Sequence, residues 1–144
     1  MLVTLNNSDT SIELSNIFIK YSNVIKDMLE EFEEDEYPTL PLSNGYIHEE
    51  ILVFTQKILE HIEKEYPEYE EETMSTSEKK DFENFIFKEL DSISRQSILD
   101  LIHSLHYLDI PILEKKTSKY IANLFLECET DEDMEKVFEG CVKK

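Results

Sequence analysis

The sequence predicts an α+β fold in which a small sheet near the start of the chain leads into a cluster of helices. Apolar residues alternate over residues 2–14 and again around Leu40, whereas later apolar residues recur at steps of three and four. The length of 144 residues suits one domain with one core. Hydrophobic residues make up 40% of the chain, which is normal for a folded globule.

The first elements are predicted to be a hairpin, a helix and an edge strand. Residues 2–5 and 12–14 alternate on either side of a turn at residues 6–9, which indicates a β-hairpin. Residues 37–42 can form only a short edge strand, because Pro38 and Pro41 each remove a ladder donor. A helical stripe between hairpin and strand is formed by Phe18, Tyr21, Ile25, Met28, Leu29 and Phe32.

A second helix and a long loop are predicted in the middle of the chain. The helix has a stripe formed by Ile47, Ile51, Phe54, Ile58 and Ile62. Residues 66–80 are acidic, poor in aliphatic side chains and without periodicity. This composition predicts a disordered surface loop, and its length is typical of a functional or variable insertion.

Four helices are predicted after the loop. The first contains Phe82 and Leu90, and Ser94 is placed to cap the second. Pro111 suits the first turn of the third helix, where its missing N–H would have no partner. Thr130 begins the last, and the acidic residues after it favour the positive end of a helix.

The charge of the chain argues against two classes of partner. There are 14 basic and 33 acidic residues, which gives a formal net charge of −19. Nucleic acids and anionic membranes are bound mainly through Lys and Arg, so neither is predicted as a partner. With only two glycines, Gly45 and Gly140, the chain cannot build a glycine-rich phosphate loop.

The sequence predicts an intracellular protein, in the cytoplasm, the nucleus or both. Cys128 and Cys141 belong to no CxxC motif, which favours a reducing compartment over a disulfide framework. The first ten residues lack the basic flank and apolar run of a signal peptide. No apolar stretch approaches the roughly 18 residues of a spanning helix.

The sequence gives little support to the hypotheses of an enzyme or a metal-binding protein. Asp100, His103 and His106 lie near one face of a helix, so a metal site is conceivable, but ordinary surface histidines are favoured. No Ser or Cys has the context of an activated nucleophile. We therefore predict no catalytic residue, no metal and no cofactor.

The last two helices carry apolar stripes that the rest of the chain has few partners to cover. The residues concerned are Tyr120, Ile121, Leu124 and Phe125, then Met134, Val137 and Phe138. Burying the last three is worth on the order of 5 kcal/mol, whereas association costs about 4–15 kcal/mol. A partner must therefore use both helices. The alternative is that both stripes belong to the core. For the stripe that ends at Phe125, core packing and partner binding are about equally favoured.

Six strings in order resemble the S-phase kinase-associated adaptors of SCF-type ubiquitin ligases, over nearly the whole chain. Tyr107-Leu108-Asp109-Ile110 reads as in that family at the same junction of two helices, and Ile25-Lys26-Asp27-Met28-Leu29-Glu30 resembles the family's Ile-Lys-Thr-Met-Leu-Glu. The other strings are Leu5-Asn6-Asn7-Ser8-Asp9, Leu40-Pro41-Leu42, Ile121-Ala122-Asn123 and Thr130-Asp131-Glu132-Asp133-Met134.

The resemblance implies a BTB/POZ fold with a three-stranded sheet, and a non-enzymatic adaptor that joins a cullin N-terminal domain to an F-box protein. It implies a BTB/POZ-like domain over residues 1–126 and a C-terminal helical extension over residues 127–144. The implied cullin-binding residues are Leu42, Asn44, His106 and Tyr107. The implied F-box-binding residues are Leu101, Leu113, Tyr120, Ile121, Leu124, Phe125, Met134, Val137 and Phe138.

The sequence also departs from the family. His106 stands where the family usually has Asn, and the family's further helix and acidic, aromatic tail have no counterpart after Cys141. We therefore expect weaker or altered F-box binding. Three alternatives remain: a BTB/POZ module that forms a homodimer when unpartnered, a decoy that competes for cullin or F-box partners, and a small hydrolase or metal enzyme. The amino-acid composition is typical of an AT-rich genome, which suggests a viral or parasitic source. The protein would then act in a host cell.

Overall fold

The structure is a computed structural model that describes residues 1–33, 36, 38–70 and 72–144. Over these residues it is α+β, with seven helices and a three-stranded mixed sheet. The elements are β1 (Leu2–Leu5), β2 (Ser11–Glu13), α1 (Ile17–Tyr21), α2 (Asn23–Glu30), β3 (Thr39–Leu42), α3 (Glu49–Glu65), α4 (Thr76–Asp91), α5 (Arg95–Leu108), α6 (Pro111–Leu126) and α7 (Asp131–Lys136).

The sheet has β1 in its centre, antiparallel to β2 and parallel to β3. The predicted hairpin is confirmed, and its turn uses Asn6 and Asn7 at φ 50° and 62°. Asparagine tolerates this left-handed conformation better than most residues do. The predicted edge position of β3 is also confirmed, which lets Pro41 lie in a strand without breaking an inner ladder.

The single helix predicted from Phe18 to Phe32 is wrong, because the chain breaks at Ser22 into α1 and α2. Ser22 is fully buried and extended, with φ −100° and ψ 117°. Its hydroxyl accepts the N–H of Ile25 at 3.2 Å and donates to the carbonyl of Leu108 at 2.5 Å. One side chain therefore caps α2 and ties it to the end of α5.

Replacing Ser22 with alanine is expected to lower the free energy of unfolding by about 2–3 kcal/mol, because a helix cap is lost and a buried carbonyl loses its donor. Urea denaturation would measure the change. The matched control is Ser92→Ala, since Ser92 is exposed and its hydroxyl bonds only the nearby Glu89 carbonyl. Similar losses in both variants would contradict the tying role of Ser22.

The predicted loop over residues 66–80 is too long, because α4 already begins at Thr76. Ser75 caps α4 by accepting the N–H of Glu78, and its hydroxyl also donates to the Glu78 carboxylate. Tyr66 and Tyr69 pack on Phe82, with ring centroids 5.2 and 4.2 Å away. These two aromatic contacts therefore hold the start of the shortened loop against α4. Glu71, which also belongs to the predicted loop, lies outside the described residues.

The four helices predicted after the loop are confirmed, with caps at Ser94 and Thr130 and Pro111 in the first turn of α6. Helix α6 packs against both α4 and α5. The largest side chains of the core come from every helix between α1 and α5 and from β3: Phe18, Ile25, Leu40, Leu42, Leu52, Ile58, Leu59, Ile62, Phe82, Ile86, Leu90 and Ile98. No described helix combines the length and the apolar run that crossing a bilayer requires.

Candidate partner-binding surfaces

The first surface lies where α5 ends and is formed by Asn44, His106 and Tyr107, which we call the junction surface. The hydroxyl of Tyr107 accepts the backbone N–H of Ser43 at 3.0 Å, so the end of α5 holds the turn after β3. Asn44 is held from the other side, because its N–H donates to the side chain of Asn6 at 2.8 Å. The structure thus brings together residues that lie more than sixty positions apart.

The shape of this junction depends on Asp109, which ends α5 with φ 51° in the left-handed region. The side chain of Asn23 donates to the Asp109 carboxylate at 3.0 Å, and the Asn23 backbone N–H donates to the Asp109 carbonyl at 3.0 Å. His106 extends into solvent, with 82% of its side chain exposed and Nδ1 2.8 Å from a carboxylate oxygen of Glu114. The junction is therefore anchored on α2 and presents His106 outward.

Leu42 does not belong to the junction surface, although the resemblance placed it in cullin contact. Its side chain is 1% exposed and lies in the core, since alternate residues of a strand point to opposite faces of the sheet. In this conformation its side chain offers no area to a partner.

Three of the implied F-box-binding residues are also core residues. Leu101 and Leu113 are each 1% exposed, and Tyr120 is 8% exposed. Tyr120 packs its edge on Phe87, and its hydroxyl donates to a carboxylate oxygen of Asp91 at 2.5 Å. Burial of the phenol, together with this hydrogen bond, raises the pKa of Tyr120. Packing within the chain accounts for these three positions, so a partner cannot reach them here.

The second surface, the α6–α7 apolar surface, is formed by Phe125, Met134 and Phe138 together with Leu99. These residues line a cavity of about 250 Å³, which is also bordered by Glu135, Cys141 and Lys143. Met134 is 42% exposed, and the half-buried rings of Phe125 and Phe138 have centroids 6.1 Å apart. The remaining residues of the implied set, Ile121, Leu124 and Val137, are half-buried. The two stripes are therefore neither sealed in the monomer nor fully open.

Leu99 was missed by the sequence analysis because it lies off the predicted apolar face of α5. That face contains Ile98 and Leu101, both buried, and Leu99 is turned about 100° from Ile98 around the helix. A single apolar residue beside a stripe gives no periodic signal. Only the approach of Phe125 from α6 shows that Leu99 takes part in the cavity.

The side chains considered for a metal site are engaged with three different neighbours. The carboxylate of Asp100 is buried against His48, His103 stacks on Tyr46 with ring centroids 3.9 Å apart, and His106 contacts Glu114. Within the described ranges, no group of three His, Cys, Asp or Glu side chains is placed to hold a metal ion.

Each of the two surfaces includes a residue of α5. Leu99 and Tyr107 are eight residues apart on this helix, which corresponds to a rise of about 12 Å. No protein-family model matches this chain, and no curated protein matches it either.

Proposed function

We propose that this chain is a non-enzymatic adaptor with a BTB/POZ fold that links a cullin to an F-box substrate receptor in an SCF-type ubiquitin ligase. The observation that carries the proposal is the separation of a rigid junction surface from an incompletely covered apolar surface along α5. The strings that resemble the S-phase kinase-associated adaptors supply the identity of the two partners, and Tyr107-Leu108-Asp109-Ile110 lies at the junction itself.

The junction surface suits a scaffold protein such as a cullin. Tyr107 is half-buried, so its ring is fixed before binding, and its hydroxyl already orders the Ser43 turn. A preorganised aromatic side chain loses little entropy on association, which is typical of interface hot spots. His106 adds an exposed polar group beside it.

The α6–α7 apolar surface suits an amphipathic helix of an F-box. Fully burying a Phe or Met side chain contributes about 1.5–3 kcal/mol, and Phe125 and Phe138 are already partly buried. This gain cannot by itself offset the cost of association, about 4–15 kcal/mol. The partner must therefore extend along the half-buried Ile121 and Leu124 of α6, as a helix does in an apolar groove.

The direct test is to measure binding of the purified chain to a cullin N-terminal domain and to an F-box peptide, first separately and then together. We expect dissociation constants of micromolar or below for each and a complex with one copy of each component. Tyr107→Ala is expected to weaken cullin binding by at least tenfold, about 1.4 kcal/mol, and to leave F-box binding unchanged. Failure of both partners to bind at about 10 μM would contradict the proposal.

Self-association without a ligase is the second candidate function. It is favoured by Leu126, which is 80% exposed at the end of α6 and follows Phe125 in the chain, because large exposed apolar residues promote association. Sedimentation distinguishes the two: a stable homodimer that does not bind the cullin domain supports this candidate, and a monomer that binds both partners supports the adaptor.

A further inference from the structure

A buried carboxylate lies in a recess between the starts of α3 and α5. Asp100 is 3% exposed, and its oxygens accept from the side chain of Gln96 at 2.9 Å and from Nζ of Lys144 at 3.3 and 3.4 Å. Nε2 of His48 lies 3.1 Å from the same carboxylate. A buried charge is costly unless it is paired and hydrogen-bonded, so this recess is built around a cation.

Two basic side chains contact the Asp100 carboxylate, His48 and Lys144. Nδ1 of His48 accepts the N–H of Ile51 at 3.3 Å and so caps α3. With Nδ1 as the acceptor, Nε2 is the ring nitrogen that faces Asp100. Among the groups that contact the carboxylate, the ammonium of Lys144 supplies the positive charge.

The recess also holds the backbone of the segment that carries this lysine. The amide of Gln96 contacts Val142 twice, accepting its N–H at 2.6 Å and donating to its carbonyl at 3.2 Å. The hydroxyl of Tyr46 accepts the N–H of Lys144 at 2.9 Å. Gln96 and Tyr46 thus bind the peptide backbone at two alternate residues, Val142 and Lys144. Peptide-binding sites recognise extended segments through hydrogen bonds to their backbone in this way.

Gly45 allows the segment to approach closely. A Cβ added at Gly45 would lie 3.1 Å from Cβ of Lys144, which is tighter than ordinary van der Waals contact. Tyr46 is kept in place because its ring stacks on His103 at an interplanar angle of 14°. The side chain of Lys144 remains 34% exposed, but its ammonium reaches the buried Asp100 carboxylate, whereas Val142 is 60% exposed. Lys144 is therefore the side chain that the recess contacts.

We propose that the Asp100 recess, formed by Tyr46, His48, Gln96 and Asp100, is a binding site for a lysine side chain presented by an extended peptide segment. Residues 142–144 fill it within the chain, and a lysine-bearing segment of a partner protein can take their place. The recess shares no residue with the junction surface but adjoins it, since the N–H of Tyr46 donates to the side chain of Asn44 at 2.9 Å. This inference does not depend on the adaptor function. Because Cys141 and Lys143 border the α6–α7 cavity, displacement of the segment would also open one side of that cavity.

The test uses a fluorescent peptide with the sequence of residues 139–144 and the change Cys141→Ser, added to the full chain. A short tethered segment competes at an effective concentration on the order of 1 mM, so the unchanged protein should bind the peptide poorly. Lys144→Met removes the internal lysine and is expected to tighten peptide binding at least tenfold. Lys143→Met is the matched control, because it removes the same charge next to the recess and should leave the affinity at that of the unchanged protein.

Two further measurements, both on the Lys144→Met protein, separate recognition of the lysine from unspecific attraction to an acidic protein. A peptide that carries methionine in place of its last lysine should bind at least tenfold more weakly. Gln96→Met should also abolish tight binding, and since Gln96 lies at the rim this change spares the fold, which circular dichroism would check. Equal binding of the two peptides, no effect of Gln96→Met on a folded protein, or equal gains from Lys143→Met and Lys144→Met would each overturn the proposal.

Discussion

Replacing Phe82 with alanine is expected to lower the free energy of unfolding by about 3–5 kcal/mol, the usual range for removing a buried phenylalanine ring. Phe82 is 0% exposed and lies in the first half of α4. Its ring stacks on Tyr69 and meets the edge of Tyr66, so the substitution removes core packing and the contacts that hold the loop. Domains of this size are stable by about 5–15 kcal/mol, so the loss is a large share of the total.

Urea denaturation followed by circular dichroism would measure this change. The matched control is Phe32→Ala, because Phe32 is 40% exposed and lies after the end of α2. Its loss should stay below about 1 kcal/mol, in line with substitutions away from the core. A loss below about 1 kcal/mol for Phe82→Ala as well would contradict the packing of Tyr66 and Tyr69 on Phe82.

Replacing Met134 with aspartate is expected to weaken binding of an F-box peptide by about 30-fold, which corresponds to roughly 2 kcal/mol and is typical of a hot spot. The charge would stand in an apolar cavity that the partner must dehydrate. Since Met134 is 42% exposed in the free chain, the stability of the protein itself should change by less than about 0.5 kcal/mol.

Val53→Asp is the matched control for this variant, because Val53 is 52% exposed on α3 and receives the same charge away from the α6–α7 apolar surface. Its F-box affinity should equal that of the unchanged chain, and Met134→Asp should keep its cullin affinity. Titration calorimetry with each partner gives both numbers. An equal fall in both variants would point to long-range charge repulsion, and no fall in either would place the F-box elsewhere.

Signals that act over a few residues were sufficient to predict most of the elements. Ser94 and Thr130 cap helices as expected, because a cap depends on N–H groups two or three residues along the chain. The Asn6 and Asn7 turn, the edge strand at Pro41 and the helix start at Pro111 follow from the backbone preferences of single residues. The α+β class could therefore be predicted without any tertiary information.

The break at Ser22 could not be predicted in this way. Its stripe of apolar residues continues at helical spacing through the break, and the hydroxyl is satisfied by Leu108, 86 residues away. The loop was likewise predicted too long because its acidic composition hid Tyr69, whose stacking partner Phe82 comes from α4. In both cases the contact that decides the structure joins residues too far apart in the chain for a short stretch of sequence to contain both.

The same distinction between local signals and contacts of distant residues applies to the candidate sites. Apolar stripes on α5 and α6 were evident in the sequence, but a stripe has the same composition whether its own chain or a partner covers it. The fold buries Leu101, Leu113 and Tyr120 and leaves Met134 open.

What the sequence by itself determined is the class of fold, most of the order of its elements, the caps at Ser94 and Thr130 and the polarity of the surface, since these depend on neighbours in the chain and on composition. Only the tertiary structure decided which apolar residues remain accessible and that Lys144 meets Asp100 across 44 residues. The physical reason is that burial and charge pairing depend on distances in space, which the spacing of residues along the chain does not specify.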